Sequence, residues 1–349
     1  MVRYQMEQWK GELALPGSGF YVILAVIILA LAFDFINGFH DTANAIATAV
    51  STKALTPRPA IALASLMNLL GALAFTGVAQ TIGGKIADPV KLENGMVIVI
   101  AALTAAIAWN LITWYFGIPS SSSHALIGSL TGAVITAAGF GAVNFAGFFG
   151  ILEGLIFSPL AAFVTGLLVM ALIRFVFRRA IPYKINRRFR FLQIFTAAFQ
   201  AFSHGTNDAQ KTMGIITFAL VAGGFQSTLH VPFWVKFLAA LSMALGTSVG
   251  GWKIIKTVGT RIIKLEPSSG FSADLASAVV ILGFTLLKFP VSTTHVISSS
   301  IMGVGTARRF SAVKWGTAER IVVTWLLTLP VSALLAGVSY LVCNFVGRI

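Results

Sequence analysis

The 349-residue chain has one cysteine, Cys343, so no disulfide can form within it. Charge is scarce as well, at 10% of residues, and only 11 of those are acidic. A soluble surface needs far more charge than this, and a soluble core needs far less apolar surface than the 57% hydrophobic content present. The apolar runs reach the roughly 20 residues that a helix needs to cross a bilayer. The sequence therefore reads as an all-α polytopic membrane protein, with lipid as its first partner. The 33 glycines suit helices that pack closely or break.

A net charge of +14 invites a nucleic-acid reading, and the placement of the bases argues against one. They gather between apolar runs, as expected of loops held on the cytoplasmic side. Residues 174–190 hold Arg174, Arg178, Arg179, Lys184, Arg187, Arg188 and Arg190 with no acid among them. Such a segment fits a cytoplasmic loop near anionic lipid. The apolar run at 20–33 leads straight into Asp34 with no clear small-residue cleavage site, and is expected to stay as a membrane segment.

Polar residues interrupt the apolar sequence twice, in nearly the same words. Asn37-Gly38-Phe39-His40-Asp41-Thr42-Ala43-Asn44 is echoed by His204-Gly205-Thr206-Asn207-Asp208-Ala209-Gln210-Lys211. Phe35, Gly38 and Asp41 recur 167 residues later as Phe202, Gly205 and Asp208. Further on, Pro119-Ser120-Ser121-Ser122-Ser123-His124 is matched 171 residues later by Pro290-Val291-Ser292-Thr293-Thr294-His295. Pro159 and Gly166 recur at that spacing as Pro330 and Gly337. The chain is a duplication. Its parts are a segment 1–19, a first transmembrane repeat 20–177, a basic cytoplasmic linker 178–190 and a second repeat 191–347.

Each half divides into about five membrane-crossing units. In the first half they are 20–55, 58–83, 95–116, 117–138 and 150–177; in the second, 190–225, 232–251, 271–287, 288–305 and 321–347. An odd count per half turns the second upside down, giving inverted-topology repeats. Lys53, Arg58, the 174–190 loop, Lys253, Lys256, Arg261, Lys264, Arg308, Arg309, Lys314 and Arg320 then face the cytoplasm. Uncharged 139–149 and 84–94, balanced by Asp88 and Glu93, face outside with both termini. The first unit of each half is too long for one straight helix, so it is broken, tilted or a hairpin.

The motifs carry distinct chemistry. A carboxylate inside hydrocarbon is a functional-site hypothesis in itself, and two at equivalent places of a repeat point to a transport site between halves. Asp41, Asn44 and Thr48 at i, i+3 and i+7 share a helix face and offer oxygens suited to sodium or to a proton held on the carboxylate. They would also serve as polar glue between helices. The prolines at 119 and 290 favour a helix break, with a new helix starting at Ser or Thr. A helix start inside the membrane offers free N–H groups and a positive dipole end to an anion. The alternative is ordinary capping of a kinked helix. His124 and His295 end these turns and are more often packing residues. Lys211 stands at the repeat position of Asn44, as a fixed ammonium or as a snorkelling side chain. Glu153 is a candidate bundle or coupling carboxylate, and Asp274 is expected to begin a helix.

These motifs resemble the inorganic phosphate transporter (PiT) family, whose signature is a Gly-Ala-Asn-Asp-Val-Ala-Asn-Ala-like segment in each of two halves. The resemblance runs over nearly the whole chain. It implies secondary transport of inorganic phosphate, inverted repeats with broken or half-helices, and a site where the halves meet near the bilayer midplane. By position it implies that Ser120, Ser121, Ser122, Ser123, Ser292, Thr293, Thr294, Asn207, Gln210 and Lys211 bind substrate. Asp41, Asn44, Asp208 and His40 would serve the coupling ion. Asp41, Asn44 and Asp208 would ligate metal only under sodium coupling.

Two residues depart from the signature, His40 and Lys211, each standing where the family has asparagine. Both resemble the bacterial low-affinity Pit-type branch, associated with proton-coupled uptake, often of a metal–phosphate complex. A histidine titrates near neutral pH and an ammonium could replace a bound sodium. The expectation is a multi-pass protein of the cell inner (plasma) membrane, with a proton as coupling cation, no cofactor, phosphate carried either alone or with a divalent metal, and a homodimer compatible with it. The competing expectations are a sodium-coupled phosphate symporter, a permease for sulfate or another oxyanion, an anion channel, and a Ser/His intramembrane enzyme. The duplicated Ser-rich turn argues against the enzyme, since a nucleophile needs no symmetric partner.

Overall fold

The structure, a computed structural model, describes residues 18–88, 91–92 and 94–346, and no side chain at 18, 42–44, 182, 252, 253 or 346. The expected N-terminal segment 1–19 lies almost wholly outside the described residues, as do Glu93 and the side chains of Asn44 and Lys253.

Among the described residues every regular element is a helix. The first half contains α1 (Ser18–Ser51), α2 (Pro57–Ala72), α3 (Gly77–Lys85), α4 (Gly95–Phe116), α5 (Ser122–Ala138) and α6 (Phe145–Val176). The second contains α7 (Pro182–Ala222), α8 (Phe233–Val249), α9 (Trp252–Thr260), α10 (Pro267–Leu286), α11 (Thr293–Arg308) and α12 (Trp315–Val346). Short 3₁₀ turns at Phe140–Ala142 and Phe310–Ala312 occupy matching places before α6 and α12. The duplication read from sequence is thus a duplication of helix order.

The helices differ from the expected units at the second and fourth unit of each half and at the linker, and they leave the first units unbroken. The second unit of each half is a helix pair bent by 70° between α2 and α3, and by 75° between α8 and α9. Helices α5 and α11 have 17 and 16 residues, which at about 1.5 Å per residue falls short of a roughly 30 Å core. Helices α1 and α7 run unbroken for 34 and 41 residues, longer than a roughly 30 Å core requires at about 1.5 Å per residue, which leaves out the broken and hairpin forms expected for these units. Residues 182–190, expected in a linker, form the first turns of α7, where the basic residues are exposed and Phe189 is buried. Among the described residues five helices are long and apolar enough to cross a membrane, or up to seven spans if each bent pair counts as one.

The two halves interlock. Helix α5 packs on α12, and its counterpart α11 on α6; α1 packs on α8, and α7 on α2. Glycine permits the closest approaches. A side chain at Gly38 would meet the Met243 carbonyl oxygen at 2.5 Å, and one at Gly132 would strike the Ala333 backbone. Along the α5–α12 seam Gly128 backs onto Leu329, Gly132 onto Ala333 and Thr136 onto Gly337, so the two helices run in the same direction. The outer faces of α6 and α12 expose Phe157, Leu160, Leu168, Leu326, Leu334 and Leu341, a surface made for lipid. Glu153 also lies on the exposed side of α6, away from the bundle interior.

Candidate functional site

The prolines at 119 and 290 act as the sequence suggests. After each, the chain turns and a helix begins behind a serine cap. Ser121 accepts from the His124 N–H at 3.1 Å to start α5, and Ser292 accepts from the His295 N–H at 3.3 Å to start α11. Each cap satisfies one of the N–H groups left over at a helix start, a contribution of about 1 kcal/mol. The two starts meet. The Ser123 hydroxyl donates to the Val291 carbonyl at 2.7 Å, and the His124 and His295 rings lie 4.5 Å apart. His295 stacks on Trp325 at 3.9 Å, so this histidine pair is a packing element behind the helix starts.

In front of the starts lie the mid-helix polar segments of α1 and α7. Asp41 Oδ1 lies 2.7 Å from His40 Nδ1 and accepts from Thr294 at 3.0 Å; its Oδ2 accepts from Ser122 at 2.7 Å. Ser122 belongs to the first half and Thr294 to the second, so one carboxylate grips both helix starts. Asp208 Oδ2 accepts from Asn37 and Thr293, each at 3.3 Å, with His204 Nε2 at 3.5 Å. Its Oδ1 is 2.8 Å from the Lys211 ammonium, a charge pair rather than an aligned hydrogen bond. Lys211 also donates to Ser122 at 3.2 Å. All of these side chains are buried. A continuous chain results: Asp208, Lys211, Ser122, Asp41.

His40 and Asn207 hold equivalent stations. His40 Nε2 reaches Thr113 Oγ1 at 3.2 Å, beside Ser120, which donates to Thr113 at 2.8 Å. Asn207 donates to Thr285 at 2.8 Å and to the Phe289 carbonyl at 3.2 Å, and accepts from the Val291 N–H at 3.1 Å. Both fasten the turn before a helix start to the end of the preceding helix. Asn207 therefore shapes the cradle.

Not every predicted residue reaches this place. The Gln210 oxygen accepts from the Val78 and Ala79 N–H groups at 2.7 and 3.2 Å, and so completes the start of α3. Thr48, expected beside Asp41, donates instead to Asp274, which also accepts from Gln193 at 3.3 Å. Asp274 itself, expected at a helix start, is buried in the middle of α10. Asn44 lies outside the described side chains.

The structure also adds residues. His204 sits one turn before Asp208, and oxygens or nitrogens of Asp41, His204 and Asp208 all fall within 4.8 Å of one another, a set that could hold a cation. The i, i+4 spacing of His204 and Asp208 was readable in the sequence. Asn37 and Asp34 share the Asp41 face of α1, at one and two turns' distance, also by readable spacing. Thr113 carried no such signal.

Two helix starts facing each other, with buried carboxylates and one buried ammonium, suit a small oxyanion moving with a cation. Over residues 37–336 the chain matches the phosphate transporter family. It belongs to that family. A probable low-affinity inorganic phosphate transporter of Bacillus subtilis (strain 168) is 58% identical over 324 residues, covering 93% of this chain and 97% of the relative. The protein of that description from Rhizobium meliloti (strain 1021) is 44% identical over 333 residues, covering 94% and 98%. In architecture the chain resembles a solved structure described as the sodium-dependent phosphate transporter. The TM-score is 0.82 at 27% identity, over 93% of this chain and 99% of the other. This member of the family is thus a multi-pass helical membrane protein of the phosphate-transport class.

Proposed function

We propose that the protein imports inorganic phosphate across the cell inner membrane by proton symport, without sodium. The observation that carries this reading is the station of Lys211. Its ammonium lies between Asp208 and Ser122, wholly buried, in a place suited to a mobile monovalent cation. A fixed charge there supplies the compensation that sodium would otherwise bring, and leaves a proton as the ion to be moved. Phosphate would sit before the starts of α5 and α11, with Ser122, Ser123, Thr293 and Thr294 as hydroxyl partners. Asp41 and Asp208 favour phosphate over sulfate, because phosphate retains a P–OH group near neutral pH and can donate to them.

The interlocked halves support alternating access through inverted repeats. The link 139–144 spans at most about 20 Å, too short to return along α5, so α6 runs against α5. Because α5 and α12 run together, α12 runs against its counterpart α6.

A second reading has an observation of its own. The cluster of Asp41, His204 and Asp208 could accept sodium, or a divalent ion carried along with phosphate. Purified protein in proteoliposomes separates the two. An imposed acid-outside gradient should drive phosphate uptake with no sodium or divalent metal present. Uptake that stays silent until either ion is added would overturn the proton reading.

A further inference from the structure

Four carboxylates are buried within the bundle among the described residues: Asp34, Asp41, Asp208 and Asp274. Three have their charge answered. Asp41 faces His40, Ser122 and Thr294; Asp208 faces Lys211, Asn37 and Thr293; Asp274 faces Thr48 and Gln193. Asp34 is different. It is 0% exposed, and neither carboxyl oxygen has a hydrogen-bond partner. The Thr212 hydroxyl faces it but stands outside ordinary hydrogen-bond geometry and is itself without a partner. One turn further along α1, the Asn37 side-chain oxygen is unpartnered too.

A carboxylate with no donor and no paired cation is strongly disfavoured in such surroundings, whereas the neutral acid is tolerated. The charged groups set against Asp34 are Asp208 and Lys211 of α7, with His204 beside Asp208. The other helices packed on α1 add little. Helix α4 holds Tyr115 at its exposed end, α8 holds Lys236 in its first turn, and α2 holds exposed Arg58. Helix α9 carries Lys253 and Lys256, α10 brings Asp274 to the distant Thr48 turn, and α11 holds His295, stacked on Trp325, and Arg308, paired with Glu266 at the far end of that helix. Asp34 and Asp41 share a face of α1, about 10 Å apart along its axis. Asn37 lies between them and donates to Asp208 at 3.3 Å.

We propose that Asp34 carries the coupling proton. A carboxyl oxygen of Asp34 binds the proton as phosphate loads and returns it to water as phosphate leaves. With the proton on, Asp34 is neutral and Lys211 stays on Asp208 and Ser122. With the proton off, a further negative charge competes for the same ammonium and opposes the anion. Proton and phosphate therefore strengthen each other's binding, as linkage requires. This inference rests on the proton-symport reading.

The test compares wild-type protein, Asp34→Asn and Asp34→Glu in proteoliposomes with a pH-sensitive dye trapped inside. Asp34→Asn, fixed as neutral, should retain phosphate–phosphate exchange without a gradient. It should lose the acceleration by an acid-outside gradient and the luminal acidification that accompanies uptake. Asp34→Glu should retain all three. Gradient-driven accumulation by Asp34→Asn at the wild-type level would overturn the assignment, and so would loss of its exchange, which marks a packing role. A wild-type protein with no response to the gradient sinks the proton-symport reading itself, before any variant is compared.

Discussion

The Lys211 ammonium stands 2.8 Å from the Asp208 carboxylate, one turn away on α7, with both side chains wholly buried. It also donates to Ser122, whose hydroxyl donates to Asp41. A single cation thereby joins the carboxylates of the two halves to the start of α5. Four expectations follow from this network and from the seams that hold it.

Replacing Lys211 with Met strands Asp208 as an uncompensated buried charge, at a cost of about 3–5 kcal/mol. Thermal unfolding in detergent should show a clear loss of stability, together with lost uptake. The double variant Lys211→Met, Asp208→Asn should recover much of that stability. A single Lys211→Met variant as stable as wild type would mean that the pair contributes nothing.

Lys211→Asn keeps a polar side chain and removes the fixed charge. Initial uptake rates at constant pH, measured in sodium and in choline, should then diverge in favour of sodium. Equal rates in the two salts would show that the ammonium does not occupy the place of a mobile cation.

Asp208→Asn should lose phosphate uptake, and Asp41→Asn should do the same, because Asp41 holds both helix starts while Asp208 holds the α11 start and the Lys211 charge. Protein yield and monodispersity serve as the folding control. Normal transport by either variant would remove that residue from the site.

The seams are predicted to be intolerant of bulk. Gly132→Val drives a side chain into the Ala333 backbone and should destabilise by about 1–3 kcal/mol. Gly150 has nothing within 4 Å, so Gly150→Ala should be neutral or stabilising by up to about 1 kcal/mol. Melting curves of the two variants should separate in that order; coincident curves would contradict the packing described.

Much of the fold was legible because its causes are local. Run length sets a membrane helix, proline and serine set the starts of α5 and α11, and repetition of Asp41 as Asp208 reveals the duplication. Local reasoning failed where neighbours intervened. The unbroken α1 and α7 are compatible with one of the three forms expected of them, whereas the α2–α3 bend falls in a stretch that reads as one apolar unit. Gln210 was read toward substrate because it sits in the motif, yet the start of α3 needed an acceptor and Gln210 met it.

By itself, then, the sequence determined a duplicated helical membrane protein with carboxylates and half-helix starts in its interior, and its motifs resembled the family to which it belongs. Those features follow from composition and from spacing within a helix or two. Tertiary structure alone decided which side chains meet. Asp41 receives Thr294 from 253 residues away, Lys211 reaches Ser122 across 89, and the Asp34 carboxyl oxygens are left without a hydrogen bond. Such pairings depend on how helices from opposite halves cross and rotate, and that is fixed by close packing at positions such as Gly38 and Gly132, which no window of sequence contains.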